Sequence, residues 1–276
     1  MLSAPAFALV ALLLGIPIIQ AVYHSMTDWD GINSTWIGPS AYVRELSNPI
    51  FWRVLENNAL LLLSVPVAIL IPLGIAAVLN ERVFGWRFFR TVYFLPTAVS
   101  WVVIGMVAVR FFAQDGMLNH MLERIGFAAA TTDMLADERS ALVAVGITFV
   151  WSMVGTNTII FLTGMATLDP SLHEAARVDG AGPLSIFWHI TLPQLKRFVQ
   201  FAFIMTVISA FTALFSLIFV MTGGGPGYGT TTLEFFVYQT AFAKGEFGEG
   251  ALLGVVLFVI MAFIGAVQLR LLRTDD

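Results

Sequence analysis

From Asn57 to Leu79 the chain carries no Asp, Glu, Lys or Arg, and this apolar run limits the fold more than any other feature. A helix needs about 20 mostly apolar residues to cross a bilayer. In hydrocarbon every backbone N–H and C=O must also find its partner within the protein. The run therefore predicts a membrane-spanning helix over 57–79. Segments of similar character lie at 2–23, 92–113, 141–164, 198–221 and 249–272. Composition agrees: 58% of the residues are hydrophobic and 12% charged, against about 25% charged in a soluble domain. The expected fold is an all-α polytopic membrane protein with six transmembrane helices, a single domain over 1–276. Met1–Tyr23 has no basic leader region, so the first span is expected to be retained.

The connections hold the turn chemistry, as in "DWDGINSTWIGPS", "GGGPGYG" and "KGEFGEG". Basic residues set the orientation. One side, formed by loops 80–91 and 165–197 and the C-terminus, holds Arg82, Arg87, Arg90, Arg177, Lys196, Arg197, Arg270 and Arg273. The other holds Arg44, Arg53, Arg124, Arg139 and Lys244, and Arg110 near the outer end of the third span can snorkel. Both termini and loop 165–197 are therefore expected in the cytoplasm, and loops 24–56, 114–140 and 222–248 outside. Pro17, Pro66, Pro72 and Pro96 fall within spans, where neighbouring helices can satisfy the carbonyls they free.

Several function classes lose support. Cysteine is absent, so there is no disulfide framework or thiolate metal site. His24, His120, His173 and His189 are scattered over loops on opposite sides, an arrangement that does not suggest a metal cluster. A net charge of -4 argues against a nucleic-acid partner. No Asp, Glu, Lys or His lies mid-span, which weakens an ion-coupled secondary transporter, since such carriers usually mark their route with ionisable groups. A phosphate-cradling loop needs a Gly-Lys pair, but Lys196 and Lys244 follow Leu195 and Ala243. Energy for uphill transport must then come from another polypeptide.

Between the fourth and fifth spans stands "EAARVDGAGPLSIFWHITLP", Glu174 to Pro193. Asp169 is placed to cap a helix opening at Pro170, and Gly180 is placed to end it. A helix over 170–179 is about 15 Å long, too short to span. Leu172, Ala175, Ala176 and Asp179 share a side by three-and-four spacing, and the small alanines leave that face shallow. Asp179 opposes the helix dipole and is expected to hydrogen-bond the turn at Gly180–Gly182. A second short helix is expected to open at Pro183 and carry Phe187, Trp188 and Ile190 towards Pro193.

This stretch resembles the EAA motif of the membrane subunits of ATP-binding-cassette importers, above all sugar permeases of the maltose-transporter type. Glu174, Ala175, Ala176, Asp179, Gly180, Ala181, Ile190 and Pro193 follow the pattern in order. The resemblance implies that 165–197 holds a cytoplasmic coupling helix, with Leu172 alongside, docked on an ATPase subunit. "MTGGGPGYGTTTLEFFVYQTAF", Met221 to Phe242, resembles the outward-loop signature of the same group, with Gly224, Gly225 and Pro226 at its turn. "FLP" at Phe94–Pro96 and "DGMLN" at Asp115–Asn119 are further landmarks, whereas "WIGPSAYV" departs from the family's Val-Gly-Leu-x-Asn-Tyr run.

Sugars are gripped by aromatic faces and by hydroxyl or amide hydrogen bonds. The fourth span offers Trp151, Ser152, Thr156 and Asn157, and the fifth offers Phe211, Thr212 and Phe215; a helix-packing role competes at each. Val150, Ala210 and Leu214 stand where the resemblance leads one to expect polar or aromatic groups. The resemblance implies a permease subunit paired with a second permease and bound to two ATP-binding subunits. ATP and magnesium would sit in those partners and no cofactor in this chain, and an external solute-binding protein would deliver a carbohydrate in the cytoplasmic membrane of a prokaryote. An ion-coupled secondary transporter and a non-transporting membrane scaffold are the alternatives.

Overall fold

The computed structural model describes residues 9–80, 85–127 and 131–273. Arg82, counted above for orientation, and residues 2–8 of the first expected span lie outside these. In chain order, α1 (Ala11–His24, opening with a π turn over Ala11–Gly15) leads to strands β1 (Thr27–Trp29) and β2 (Ser34–Trp36). Then come α2 (Ser40–Leu46), α3 (Pro49–Leu62), α4 (Ser64–Asn80), α5 (Trp86–Phe94), α6 (Trp101–Phe112), α7 (Met117–Arg124) and α8 (Glu138–Met165). The stretch between the long helices holds α9 (Pro170–Val178), α10 (Pro183–Ile186), a π turn over Phe187–Thr191, and α11 (Leu192–Gln194). The chain continues through α12 (Lys196–Thr212), α13 (Leu214–Met221), α14 (Leu233–Tyr238), a π turn over Gln239–Ala243, and α15 (Phe247–Arg273).

Among the described residues five helical runs are long and apolar enough to cross a membrane: Pro49–Asn80, Trp101–Arg124, Glu138–Met165, Lys196–Met221 and Phe247–Arg270. α1 is apolar but shorter. The third span expected at 92–113 is not one helix. Pro96 has no N–H to donate and disfavours helix in the residue before it. α5 accordingly stops at Phe94, a 3-10 turn fills Leu95–Ala98, and Val99 is extended at φ -105° and ψ 142°. The Ser100 hydroxyl then accepts from Val103 N at 3.4 Å and starts α6 afresh. Its continuation turns at Gly116, where a Cβ would lie 2.7 Å from the carbonyl oxygens of Arg110, Phe111 and Ala113. Asn119, from the "DGMLN" landmark, is 3% exposed and fixes the chain beyond this turn. Its amide donates to the carbonyls of Ala113, Gln114 and Thr132 at 3.3, 2.9 and 2.8 Å.

The chain forms two compact units, one of residues 1–58 with 227–276 and one of residues 59–226. In the first, β1 and β2 pair antiparallel, Asp28 opposite Thr35, so the all-helical expectation missed a small hairpin. The Asp30 carboxylate accepts from Ile32 N and Asn33 N at 2.8 and 2.6 Å, and this local turn competes successfully with helix. Phe51, Val54, Leu233, Phe236 and Leu253 form the core of this unit. Gly248 opens α15 against β1, and a Cβ there would strike the Thr27 carbonyl.

In the second unit α8 packs along α4, and one polar bond explains how a proline is tolerated between them. Pro72 lies inside α4 and cannot donate to the carbonyl four residues back, that of Ala68. The Asn157 amide supplies the missing donor, reaching Ala68 O at 2.7 Å. It also donates to Thr206 Oγ1 of α12 at 3.0 Å, so one buried side chain ties three helices. Gly155, a half turn earlier, admits the break after α5: a Cβ there would sit 2.5 Å from Tyr93 O and from Thr97 Cγ2.

Candidate functional site

α9 is capped at both ends by its own sequence. The Asp169 carboxylate accepts from Ser171 N at 2.9 Å, and this bond holds its pKa below the ordinary value of 3.8. Pro170 occupies the first turn, where no N–H is needed. At the other end Gly180 takes φ +83°. Gly180 N donates to Arg177 O at 3.1 Å and Ala181 N to Ala176 O at 2.9 Å, the bond pair of a Schellman stop. Self-sufficient ends free α9 from needing neighbours to complete its backbone.

The helix buries none of its residues. Leu172 is 45% exposed and Val178 87%; Glu174, Ala175 and Asp179 are exposed, and Ala176 and Ala181 half-buried. Asp179 makes no side-chain hydrogen bond among the described residues, contrary to expectation; the backbone bonds at Gly180 and Ala181 already close the turn. The second element follows as expected from Pro183 and adds Leu184 and Trp188, 71% and 54% exposed. His173 Nε2 and Thr191 Oγ1 lie 3.0 Å apart, joining α9 to the π turn. Beneath α9 is a cavity of about 500 Å³, bounded by Gly74 and Val78 of α4 and by His173, Ala181 and Phe187. Leu172, Val178 and Leu184 of α9 and α10 face outward, and exposed apolar groups of this kind mark a candidate docking surface.

The residues expected along a solute path separate into two sets. Ser152, Asn157 and Phe211 are 2%, 1% and 7% exposed. The Ser152 hydroxyl donates to Thr148 O at 2.7 Å, and the Asn157 amide is committed to Ala68 and Thr206. Trp151, Thr156 and Thr212 are exposed and Phe215 half-buried, with its ring stacked 6.0 Å from Phe219. A cavity of about 430 Å³ between the ends of α4, α5 and α8, bounded by Leu79, Trp86, Phe94 and Thr163, includes none of the seven.

At the turn expected to face outward, Gly223 and Gly224 take φ +59° and +87°, conformations that favour glycine, and the Gly225–Pro226 peptide is cis. The threonines that follow, Thr230, Thr231 and Thr232, are fully buried. What holds them was not foreseen. Asn57 donates to the carbonyls of Tyr228 and Thr231 at 2.8 and 2.9 Å. The Asn58 Oδ1 accepts from Leu233 N at 2.7 Å, and its amide donates to Glu234 Oε2 at 3.3 Å. Paired asparagines at the head of an apolar run were the available signal. Among the described residues no group of three His, Cys, Asp or Glu is placed to hold a metal.

The sequence has relatives of known kind. Residues 47–274 match the family of binding-protein-dependent transport system inner membrane components. A probable ABC transporter permease protein, YurN of Bacillus subtilis, is 35% identical over 94% of this chain and 90% of its own length. The sulfoquinovosyl glycerol transport system permease protein SmoG of Agrobacterium fabrum is 34% identical over 100% of this chain and 90% of its own. The fold matches a chain of a bacterial alginate ABC transporter solved with an alginate pentasaccharide-bound periplasmic protein, at a TM-score of 0.82 and 21% identity, covering 98% of this chain and 93% of that one.

Proposed function

Because this chain belongs to the family of binding-protein-dependent transport system inner membrane components, a transport subunit and not an enzyme, we propose that it forms half of a carbohydrate path driven by separate ATP-hydrolysing subunits. The carbohydrate class follows from relatives that carry sulfoquinovosyl glycerol or belong to an alginate transporter. A solute-binding protein outside would deliver the cargo, and a second permease would close the path. ATP and magnesium would sit in the partners. The membrane would be the cytoplasmic membrane of a prokaryote, with both termini in the cytoplasm and α1 belonging to a sixth span.

The observation that carries this reading is α9: a short helix complete at both ends, with Leu172 and Val178 turned to solvent beside Glu174 and Ala175. A groove on an ATP-hydrolysing subunit would bury that face, and its closure would move α9 with the helices on either side, α8 and α12. Loop 165–197 would then be the coupling loop. The solute would meet the exposed members of the path, Trp151, Thr156, Thr212 and Phe215, while Ser152, Asn157 and Phe211 hold the helices together. Gly224, Gly225 and Pro226 would form a rigid outer turn beside the entry.

The test is uptake by the assembled complex in vesicles. Glu174→Lys and Gly180→Pro should leave membrane abundance at wild type and abolish ATP-driven uptake. Wild-type uptake by both variants at equal abundance would refute the assignment of α9. Uptake that persists without ATP on an ion gradient would refute the ATP-driven reading.

A further inference from the structure

Within the first unit Asn57 and Asn58 fasten the segment 228–234 to α3. Two amides make four hydrogen bonds, three of them to backbone. The fourth ends on a carboxyl group that has little else. Glu234 Oε1 is buried with no hydrogen-bond partner, and so is Asn57 Oδ1, on a side chain with no exposure at all. Leu233, Phe235 and Phe236 around it are buried apolar residues. An ionised carboxylate in such a place needs two or three good donors or a cation. Of the polar side chains near Glu234 among the described residues only the Asn58 amide reaches it, at 3.3 Å, while Thr232 Oγ1 and Glu234 Oε1 make no hydrogen bond.

The charged groups on the elements packed around α14 do not relieve it. On α3, Arg53 pairs with Glu56 at 3.2 Å. On α15, Glu249 pairs with Arg44 of α2 at 3.5 Å, and Arg270 lies at the far end of that helix. After the π turn, Lys244 sits over the Phe236 ring at 5.4 Å, and Glu246 is exposed. Burial pushes the Glu234 pKa up from 4.5 to about 7, against the smaller effects of its own backbone N–H, Thr232 and Asn58.

We propose that Glu234 is a proton-binding latch: its neutral carboxyl keeps the segment 228–234 seated on Asn57 and Asn58, and loss of the proton lets that segment lift so that the carboxylate can reach water. The sign follows from linkage. A carboxyl whose pKa is raised in the closed form binds more protons closed than open, so the latch holds fully below the ordinary carboxylate pKa. It weakens as pH rises and reaches its weakest above the raised value.

The experiment is amide hydrogen exchange on the full chain in lipid nanodiscs, with protection factors corrected for the intrinsic rate. For a closed-form pKa of about 7 and an open-form pKa of 4.5, protection over 228–234 should fall roughly 30-fold between about pH 5.5 and about pH 8.5. In Glu234→Gln it should stay level, since the amide cannot ionise. Equal pH dependence in the two proteins, or none in the wild type, overturns the proposal. Should the variant fold poorly, infrared difference spectra of the wild-type chain decide it. A protonated carboxyl band titrating near neutrality supports the latch, and its absence above the ordinary carboxylate range overturns it. The latch stands apart from the docking of α9, so either can fail alone.

Discussion

Pro72 and Asn157 explain each other. A proline within α4 frees the Ala68 carbonyl, and an asparagine 89 positions from that carbonyl in sequence donates to it. Leaving such a carbonyl buried and unpaired costs about 1–3 kcal/mol, so Asn157→Leu should lower the stability of the detergent-solubilised chain by that amount. Pro72→Ala restores an N–H to the helix and should remove the need. The double variant should then lose about 1 kcal/mol less than the two single changes summed. Strict additivity in denaturant melts would contradict the pairing. From the sequence alone Asn157 was a solute-path candidate with helix packing as the competing role, because nothing local shows which carbonyl a distant proline has orphaned. The role of Asn57 and Asn58 was hidden for the same reason, although the pair itself stood out at the head of an apolar run: their partners lie more than 170 positions away.

At the scale of elements, α9 was the most legible part of the chain. Asp169, Pro170 and Gly180 act on bonds within four residues of themselves, so their spacing alone places the helix. Asp179 was misjudged because backbone donors take the turn first. The third span was misjudged because apolarity continues through Pro96 while the hydrogen-bond ladder does not. Two predictions belong here. Val178→Asp places a charge on the most exposed apolar residue of α9, and should sharply reduce co-purification of the ATP-hydrolysing subunit without changing membrane abundance; unchanged recovery would show that this face is not the docking face. The Asp169 cap should weaken on acidification, because a carboxyl with a lowered pKa contributes fully above 3.8 and loses its contribution as pH falls through the lowered value. Exchange at Ser171 N should therefore quicken in acid, after correction for the intrinsic rate, and Asp169→Asn should remove that dependence.

For the whole molecule, the apolar runs announce a membrane protein, but not its division into one unit built from both ends of the chain and one built from the middle. That division arises from tertiary bonds such as those of Asn57, which no local pattern encodes. The residues proposed for the solute path that the fold leaves accessible give a further prediction. Trp151→Ala and Thr212→Ala should reduce carbohydrate uptake by the complex while leaving its assembly with the ATP-hydrolysing subunits intact, as judged by co-purification alongside transport. The docking of α9 is directly measurable because the chain has no cysteine. Glu174→Cys places a single thiol on the helix. In membranes it should crosslink to the ATP-hydrolysing subunit and resist impermeant thiol reagents applied from outside the cell. A thiol that reacts freely from outside, or that never crosslinks to that subunit in the assembled complex, would contradict the account.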